Sequence, residues 1–368
     1  MNETRSSLAP LPFCHAILPS VSRTFALTIP QLPARLRDEV CVAYLICRVA
    51  DTIEDHETLD SRTRTRLFRL LKRLLRNPVD PVPWREFRDL WPGVAHEGYE
   101  RLVSHLPLVL QSFRTLPART RRAIQNCVDE MIDGMATYAG VKATEDAVAG
   151  GAATPNGSPS QPRRVCDDLD QLENYCHYAA ATVGGLLTRL FHPVFTGDSR
   201  PPSDELITRG HRFGLALQMT NVLKDYRRDL ERGVAFLPPA TLDEEDGEWR
   251  LSPGGLKALL TRVLGHLDEA ERYVLWIPSA HRGARLFCLW ALHLALRTLT
   301  RIASPESAEN PKVSRGELAE IVQRAEAAVD DDDALERLYH GYRAELAAMI
   351  RNLGPEGGVT LDSLPEAV

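Results

Sequence analysis

Apolar residues recur along this chain at three- and four-residue intervals, and sustained alternation of apolar and polar positions is absent. The pattern predicts helices over residues 20–30, 34–55, 60–76, 97–112, 117–140, 168–192, 203–232, 253–275, 280–302 and 314–352. No Asn-Gly turn joins two β-branched runs, so hairpins are not expected. The expected fold class is all-α. One stretch breaks the rhythm: "VKATEDAVAGGAATPNGSPSQPRR", residues 141–164, is rich in Gly, Ala, Pro and Ser. It carries too little apolar surface to offset its ordering entropy and reads as a mobile loop. Helices on both sides of it carry similar motifs, which argues for a single all-α domain over residues 1–352 with a flexible tail at 353–368. No repeat of about 30–45 residues is visible, which speaks against an α-solenoid scaffold.

Two predicted helices depart from the ordinary one-sided pattern. In "DEVCVAYLICRVADTIED", Asp38 to Asp55, most positions are apolar all round. At about 100° per residue Tyr44, Arg48, Asp51 and Asp55 fall on one stripe roughly 60° wide, with Glu54 beside it. Buried carboxylates are unfavourable unless neutralised. A hard divalent cation, completed by anionic ligand oxygens and water, would neutralise them. The plainer reading is a surface helix end with an Arg48–Asp55 ion pair. The helix at 203–232 repeats the arrangement with Gln218, Asn221, Asp225 and Asp229. Gly214, one turn earlier, reads as room for a ligand; Arg232 falls on the same face, and Lys224 lies at its edge. Spacing alone is weak, because Asp129 and Asp133 are also four residues apart but lack such company.

Charge and cysteine content narrow the classes. A net charge of −6 and a pI near 6.0 argue against a nucleic-acid binder, though not against a local basic pocket. Seven cysteines with no C-x-x-C pair suggest buried thiols in a reducing, cytoplasmic setting. The apolar run Leu286 to Leu296 is too short to span a bilayer. Arg62 to Arg76 is a basic amphipathic helix: an ordinary charged outer face, or a peripheral contact with anionic membrane.

Several pieces occur together and in order: "SRTF" (Ser22 to Phe25), "YLICRVADTIED" (Tyr44 to Asp55), "YCHYAAATVGG" (Tyr175 to Gly185), "QMTNVLKDYRRDLERG" (Gln218 to Gly233) and, more weakly, "PKVSRG" (Pro311 to Gly316). In them the chain resembles the squalene and phytoene synthases, the head-to-head prenyl transferases of the isoprenoid synthase fold. The resemblance implies a helical bundle around a central cavity. It implies that Asp51, Asp55, Asp225 and Asp229 bind Mg²⁺ with the diphosphates of two prenyl donors. Ser22, Arg23, Tyr44 and Arg48 match diphosphate-binding positions, and Tyr175 matches a cavity tyrosine concerned with proton handling. Gln218 and Asn221 match polar residues near diphosphate and nicotinamide, while Lys224 takes a position that is usually basic.

"YCHYAAATVGG" and "KVSRG" lean toward squalene synthases. The implied reaction joins two farnesyl diphosphates through presqualene diphosphate and reduces the product with NADPH. Phe25, Tyr44 and Phe287 would offer aromatic faces to cationic carbon, with core packing as the plain alternative for each. Ser314 and Glu317 read as a capping box, next to which Lys312 and Arg315 would meet an anion. His177 reads as a packed histidine and Asp330 to Asp333 as a helix cap. One departure stands out: relatives often carry G-R-x-F where this chain has Gly233-Val234, which leaves Arg232 as the substitute. The alternatives are a phytoene or dehydrosqualene synthase that needs no reductant, or a non-catalytic isoprenoid-binding relative.

Overall fold

A computed structural model describes residues 9–77, 79–143, 162–245, 248–308 and 310–353. The loop expected to be mobile lies outside the described residues from 144 to 161, and so does the tail from 354 onward. The all-α expectation holds. The helices are α1 (Pro10–Val21), α2 (Thr24–Thr28), α3 (Ala34–Glu54), α4 (Ser61–Arg76), α5 (Pro81–Leu90), α6 (Glu97–Ser104), α7 (Leu106–Thr115) and α8 (Ala118–Ala143). They continue as α9 (Leu169–Cys176), α10 (Thr182–Phe195), α11 (Asp204–Glu231), α12 (Pro253–Trp276), α13 (Arg282–Ala303), α14 (Arg315–Ala328) and α15 (Asp332–Asn352).

Differences from the predicted elements have local causes. Helices α1 and α5 both open on proline, and α1 holds Pro19 inside it, which hides their periodicity. The helix expected over 97–112 breaks at His105, because Pro107 in the first turn of α7 has no N–H to continue the ladder. The helix expected over 168–192 is interrupted by a π-helical turn, His177–Ala181. The one expected over 314–352 divides at Val329–Asp331, where Asp331 accepts from the backbone N–H groups of Asp333 and Ala334 and so caps α15. The Ser314–Glu317 capping box is present. Two short strand pairs escaped the pattern. In one, β1 (Arg163–Arg164) runs parallel to β2 (Val234–Ala235); in the other, β3 (Leu242–Glu245) is antiparallel to β4 (Glu248–Leu251).

The central elements are α3 and α13. Ser279–Ala303 is long and apolar enough to cross a membrane, but 83% of its apolar window is buried inside the protein, where α13 packs on α2, α11, α12, α14 and α15. Arg285, fully buried on α13, donates to the carbonyls of Ile277 (2.6 Å) and Val329 (3.1 Å) and pairs with Asp332 at 2.7 Å. One guanidinium thereby fixes the ends of α12 and α14 and the start of α15. All seven cysteines are buried thiols.

The α12–α15 contact holds a weakness that pH exposes. Burial, with Glu336 and Asp268 beside it, pushes the Glu271 carboxyl from 4.5 up to about 8, and its Oε1 has no hydrogen-bond partner among the described residues. The folded chain keeps this group protonated while the unfolded chain ionises, so stability is lost as pH rises from about 4.5 to about 8. Glu271→Gln is expected to leave the melting temperature unchanged at pH 4 and to raise it at pH 8. Discounted for partial solvent screening, the gain is about 1–3 kcal/mol. Equal melting at both pH values for the two proteins would contradict this.

Candidate active site

From Glu39 to Asp55, every residue of α3 and its cap is buried except Tyr44, Arg48, Asp51 and Asp55. The stripe picked out by helical angle is thus the only accessible line on that stretch. The Tyr44 hydroxyl donates to the Val21 carbonyl at 3.0 Å, and Arg48 Nε donates to that hydroxyl at 3.2 Å. The Arg48 guanidinium lies between the rings of Tyr44 (5.5 Å) and Tyr99 (5.8 Å) and pairs with Asp51 at 3.3 Å. The pair is with Asp51, not with Asp55. Ser22 Oγ accepts from the Phe25 N–H at 3.0 Å, and the Phe25 ring packs on Tyr44 (4.9 Å) and Phe287 (6.2 Å). Ser22, Phe25, Tyr44, Arg48, Asp51 and Phe287 therefore form one connected group, with Arg23 exposed beside it.

The second stripe meets the acid end of the first. Arg232, at the C-terminus of α11, pairs with Glu57 just beyond α3 at 3.2 Å and with Asp229 at 3.9 Å. Burial, then the negative charges of Asp225 and Asp55, pushes Asp229 up to about 6 against the opposing Arg232. Burial, followed by Asp55 and Glu54, raises Asp51 to about 7 although Arg48 opposes it. Lys224 donates to Asn221 Oδ1 at 3.0 Å and pairs with Asp225 at 3.2 Å, while Gln218 is half-buried one turn earlier. Tyr175 is buried, with its ring against Tyr138 (5.3 Å) and Phe236 (4.9 Å). Burial first, then Glu54, Asp55 and Asp51, raises its phenol well above the usual value, so it stays protonated at neutral pH.

Other expectations resolve differently. A side chain at Gly214 would collide with backbone: its Cβ would stand 2.5 Å from the Ala180 carbonyl oxygen and 2.6 Å from Ala181 Cα. The glycine lets α11 approach the π-helical turn and does not open ligand space. Lys312 and Arg315 are exposed at the start of α14, where Glu317 binds Arg297 (3.1 Å) and Arg301 (3.3 Å). Among the described residues no hydrogen bond or ion pair joins those two cations to the acidic stripes. Asp129 and Asp133 pair with Lys72 and Arg76 on α4. His177 is hydrogen-bonded to Glu130 at 2.9 Å. Two small hollows among the described residues, one beside Asp229 and one beside Arg164 and Trp249, each hold about 10 Å³, room for about one water molecule.

Sequence reasoning passed over Tyr99, Tyr138, Glu57 and Arg64. Buried Arg64 of α4 donates to the Ile53 carbonyl (3.3 Å) and the His56 carbonyl (2.8 Å), so it holds the last turn of α3 where Asp55 sits. In the sequence it is one arginine among many in a basic run; only burial distinguishes it.

The donor set suits a hard cation that a ligand helps to hold. Among the described residues no three His, Cys, Asp or Glu side chains form a metal cage by themselves. Mg²⁺ rarely requires one, since it takes one or two carboxylates with phosphate oxygens and water. Asp51 and Asp229 are raised first by burial and then by the neighbouring carboxylates, against the arginines that oppose them.

A sequence profile described as squalene/phytoene synthase matches residues 18–319. The chain belongs to the squalene/phytoene synthase family. Members of this family are prenyl transferases of isoprenoid biosynthesis, and every candidate site residue from Ser22 to Arg315 falls inside the matched span. Squalene synthase BSS of Botryococcus braunii is 32% identical over 218 residues, 59% of this chain and 40% of that protein. Squalene synthase of Schizosaccharomyces pombe is 26% identical over 320 residues, 84% of this chain and 64% of that protein. The matches thus span about two-fifths to two-thirds of the length of these relatives. The solved structure of TcSQS with a bound ligand superposes with a TM-score of 0.72 at 22% identity, covering 94% of this chain and 96% of that one. A dehydrosqualene synthase in complex with a ligand gives a TM-score of 0.54 at 19% identity, covering 86% and 95%. These likenesses establish the family fold.

Proposed function

We propose that the chain joins two farnesyl diphosphates head to head through presqualene diphosphate and reduces that intermediate with NADPH to squalene, using Mg²⁺. One observation carries the reading. The acidic stripes of α3 and α11, far apart in sequence, converge so that Asp55 acts on Asp229 while Arg232 bridges Glu57 and Asp229. Mg²⁺ held by Asp51, Asp55, Asp225 and Asp229 would offset the charge of a departing diphosphate.

The chain's own groups have distinct parts in this reading. Arg48, fixed between Tyr44 and Tyr99, presents a guanidinium to a diphosphate oxygen. Tyr175 keeps its proton and so offers an O–H to a leaving-group oxygen; it is not a base in this state. The Phe25, Tyr44 and Phe287 rings line an apolar wall suited to cationic carbon and hostile to water.

The reductive step rests on a different part of the chain. Val234 stands where many relatives have arginine, but Arg163 lies in register with it across the parallel β1–β2 pair. Neighbouring residues of a parallel pair project to the same face, so the guanidinium missing from position 234 has a counterpart. Val234 itself favours the second reading, a dehydrosqualene or phytoene synthase.

Incubating the full chain with farnesyl diphosphate and Mg²⁺, with and without NADPH, and weighing the products by mass spectrometry separates the two. Squalene formed only with NADPH is expected. A dehydrosqualene product in both reactions would replace the reductive reading. A forty-carbon product from geranylgeranyl diphosphate alone would change the donor. No condensation product from either donor would leave the non-catalytic relative.

A further inference from the structure

The outer face of α4 is organised for something the catalytic reading does not use. Arg62, Arg66, Arg69, Arg73 and Arg76 are all exposed. At about 100° per residue they fall within one stripe roughly 80° wide along the whole helix. Arg66 is paired with Glu86 and Arg76 with Asp129. Among the described residues no ion pair or hydrogen bond engages the side chain of Arg62, Arg69 or Arg73. The opposite side of α4 is fully committed, because Leu67, Phe68, Leu70, Leu71, Leu74 and Leu75 are buried in the core.

At its C-terminal end the stripe runs into apolar surface. Val79, just before α5, and Val82, in its first turn, are 60% and 55% exposed, two of the three exposed large hydrophobics among the described residues. Residues 61–90 hold nine Lys and Arg against three Asp and Glu, in a chain whose net charge is −6. Five exposed arginines, two of them paired with acids, thus share one face of α4 in a chain of net negative charge.

We propose that α4 and the α4–α5 turn form a docking surface for an anionic phospholipid bilayer. Guanidinium groups bind phosphate bidentately and are weakly hydrated, which suits the headgroup layer. Val79 and Val82 stand at the tip of the stripe, where they enter the interface as the arginines settle on phosphate. A nucleic acid is the poorer partner. It offers no apolar layer for the valines, and the negative charge elsewhere on the chain repels a polyanion that extends beyond the face. Because the inner side of α4 stays in the core, the helix docks flat without inserting, and attachment is reversible and sensitive to salt. This inference does not rest on the catalytic reading.

The test is sedimentation of the full chain with vesicles of phosphatidylcholine containing about one-third phosphatidylglycerol, with pure phosphatidylcholine vesicles as comparison. Binding to the anionic vesicles only, lost at about 0.5 M KCl, is expected. Each arginine near an anionic surface contributes about five-fold to partitioning, so Arg69→Glu with Arg73→Glu should lower it about 25-fold or more. Both side chains are exposed and unpaired, so an unchanged circular-dichroism spectrum should accompany the loss. Val79→Ser with Val82→Ser should weaken binding several-fold without altering its salt dependence. Equal binding to neutral vesicles, no binding to anionic ones, or undiminished binding by the arginine variant would overturn the proposal. So would retention of a single-stranded RNA more tightly than vesicles at the same salt.

Discussion

Asp51→Asn and Asp225→Asn, made separately, are each expected to cut condensation of farnesyl diphosphate by about a thousandfold or more while leaving the helical circular-dichroism signal intact. The amide matches the carboxylate in size, so packing against Arg48 is kept and only the charge that would hold a cation is lost. For Asp51 the change relieves a strain on the fold. Burial and its acidic neighbours already hold this carboxyl up at about 7, so a neutral side chain costs the folded chain little. Activity and stability should therefore part company, with slower turnover and an equal or higher melting temperature. Asp133→Asn is the control. It has the same four-residue spacing to a second aspartate, but it is exposed and pairs with Lys72 of α4, and turnover should be unaffected. Full activity in the Asp51 and Asp225 variants would refute the metal assignment, whatever the family.

The second large effect is expected from one methyl group. In Gly214→Ala the new Cβ meets the Ala180 carbonyl oxygen and Ala181 Cα, both backbone atoms that no rotamer change can move aside. Either α11 moves away from the π-helical turn or the turn rewinds, and overpacking of this kind costs about 1–3 kcal/mol. A rewound turn also rotates the chain that leads back to Tyr175 and loosens its contact with Phe236. Chemical denaturation should show a lower midpoint with an unchanged slope, and turnover should fall further than stability alone explains. An unaltered midpoint would mean that the helices do not approach as closely as described.

The charged stripes were legible in the sequence, and for a definite reason. A helix that is apolar on nearly every side leaves few places where Tyr44, Arg48, Asp51 and Asp55 can point, and angle alone puts them together. The α11 stripe of Gln218, Asn221, Asp225 and Asp229 is legible in the same way, from helical angle alone. What stayed hidden depends on contacts distant in sequence. Arg64 looks like any other residue of a basic run until burial shows it bound to the Ile53 and His56 carbonyls. Gly214 was read as open space because the sequence does not say what lies opposite it; the π-helical turn does. Helix breaks at His105 and Val329 were missed because apolar periodicity runs on through a proline or an aspartate cap. The β1–β2 pair joins residues about seventy positions apart, too short a ladder to mark either segment as a strand.

Both acidic stripes lie at the C-terminal ends of their helices, α3 closing at Glu54 and α11 at Glu231. The macrodipole of each helix is negative at that end, so peptide carbonyls and carboxylates add their potentials where most helices would place lysine or arginine. The acidic ends therefore carry a built-in electrostatic penalty that a divalent ion, if held there as proposed, would remove. The protein's heat resistance should follow magnesium concentration, which makes a melting curve a reporter of site occupancy that needs no substrate.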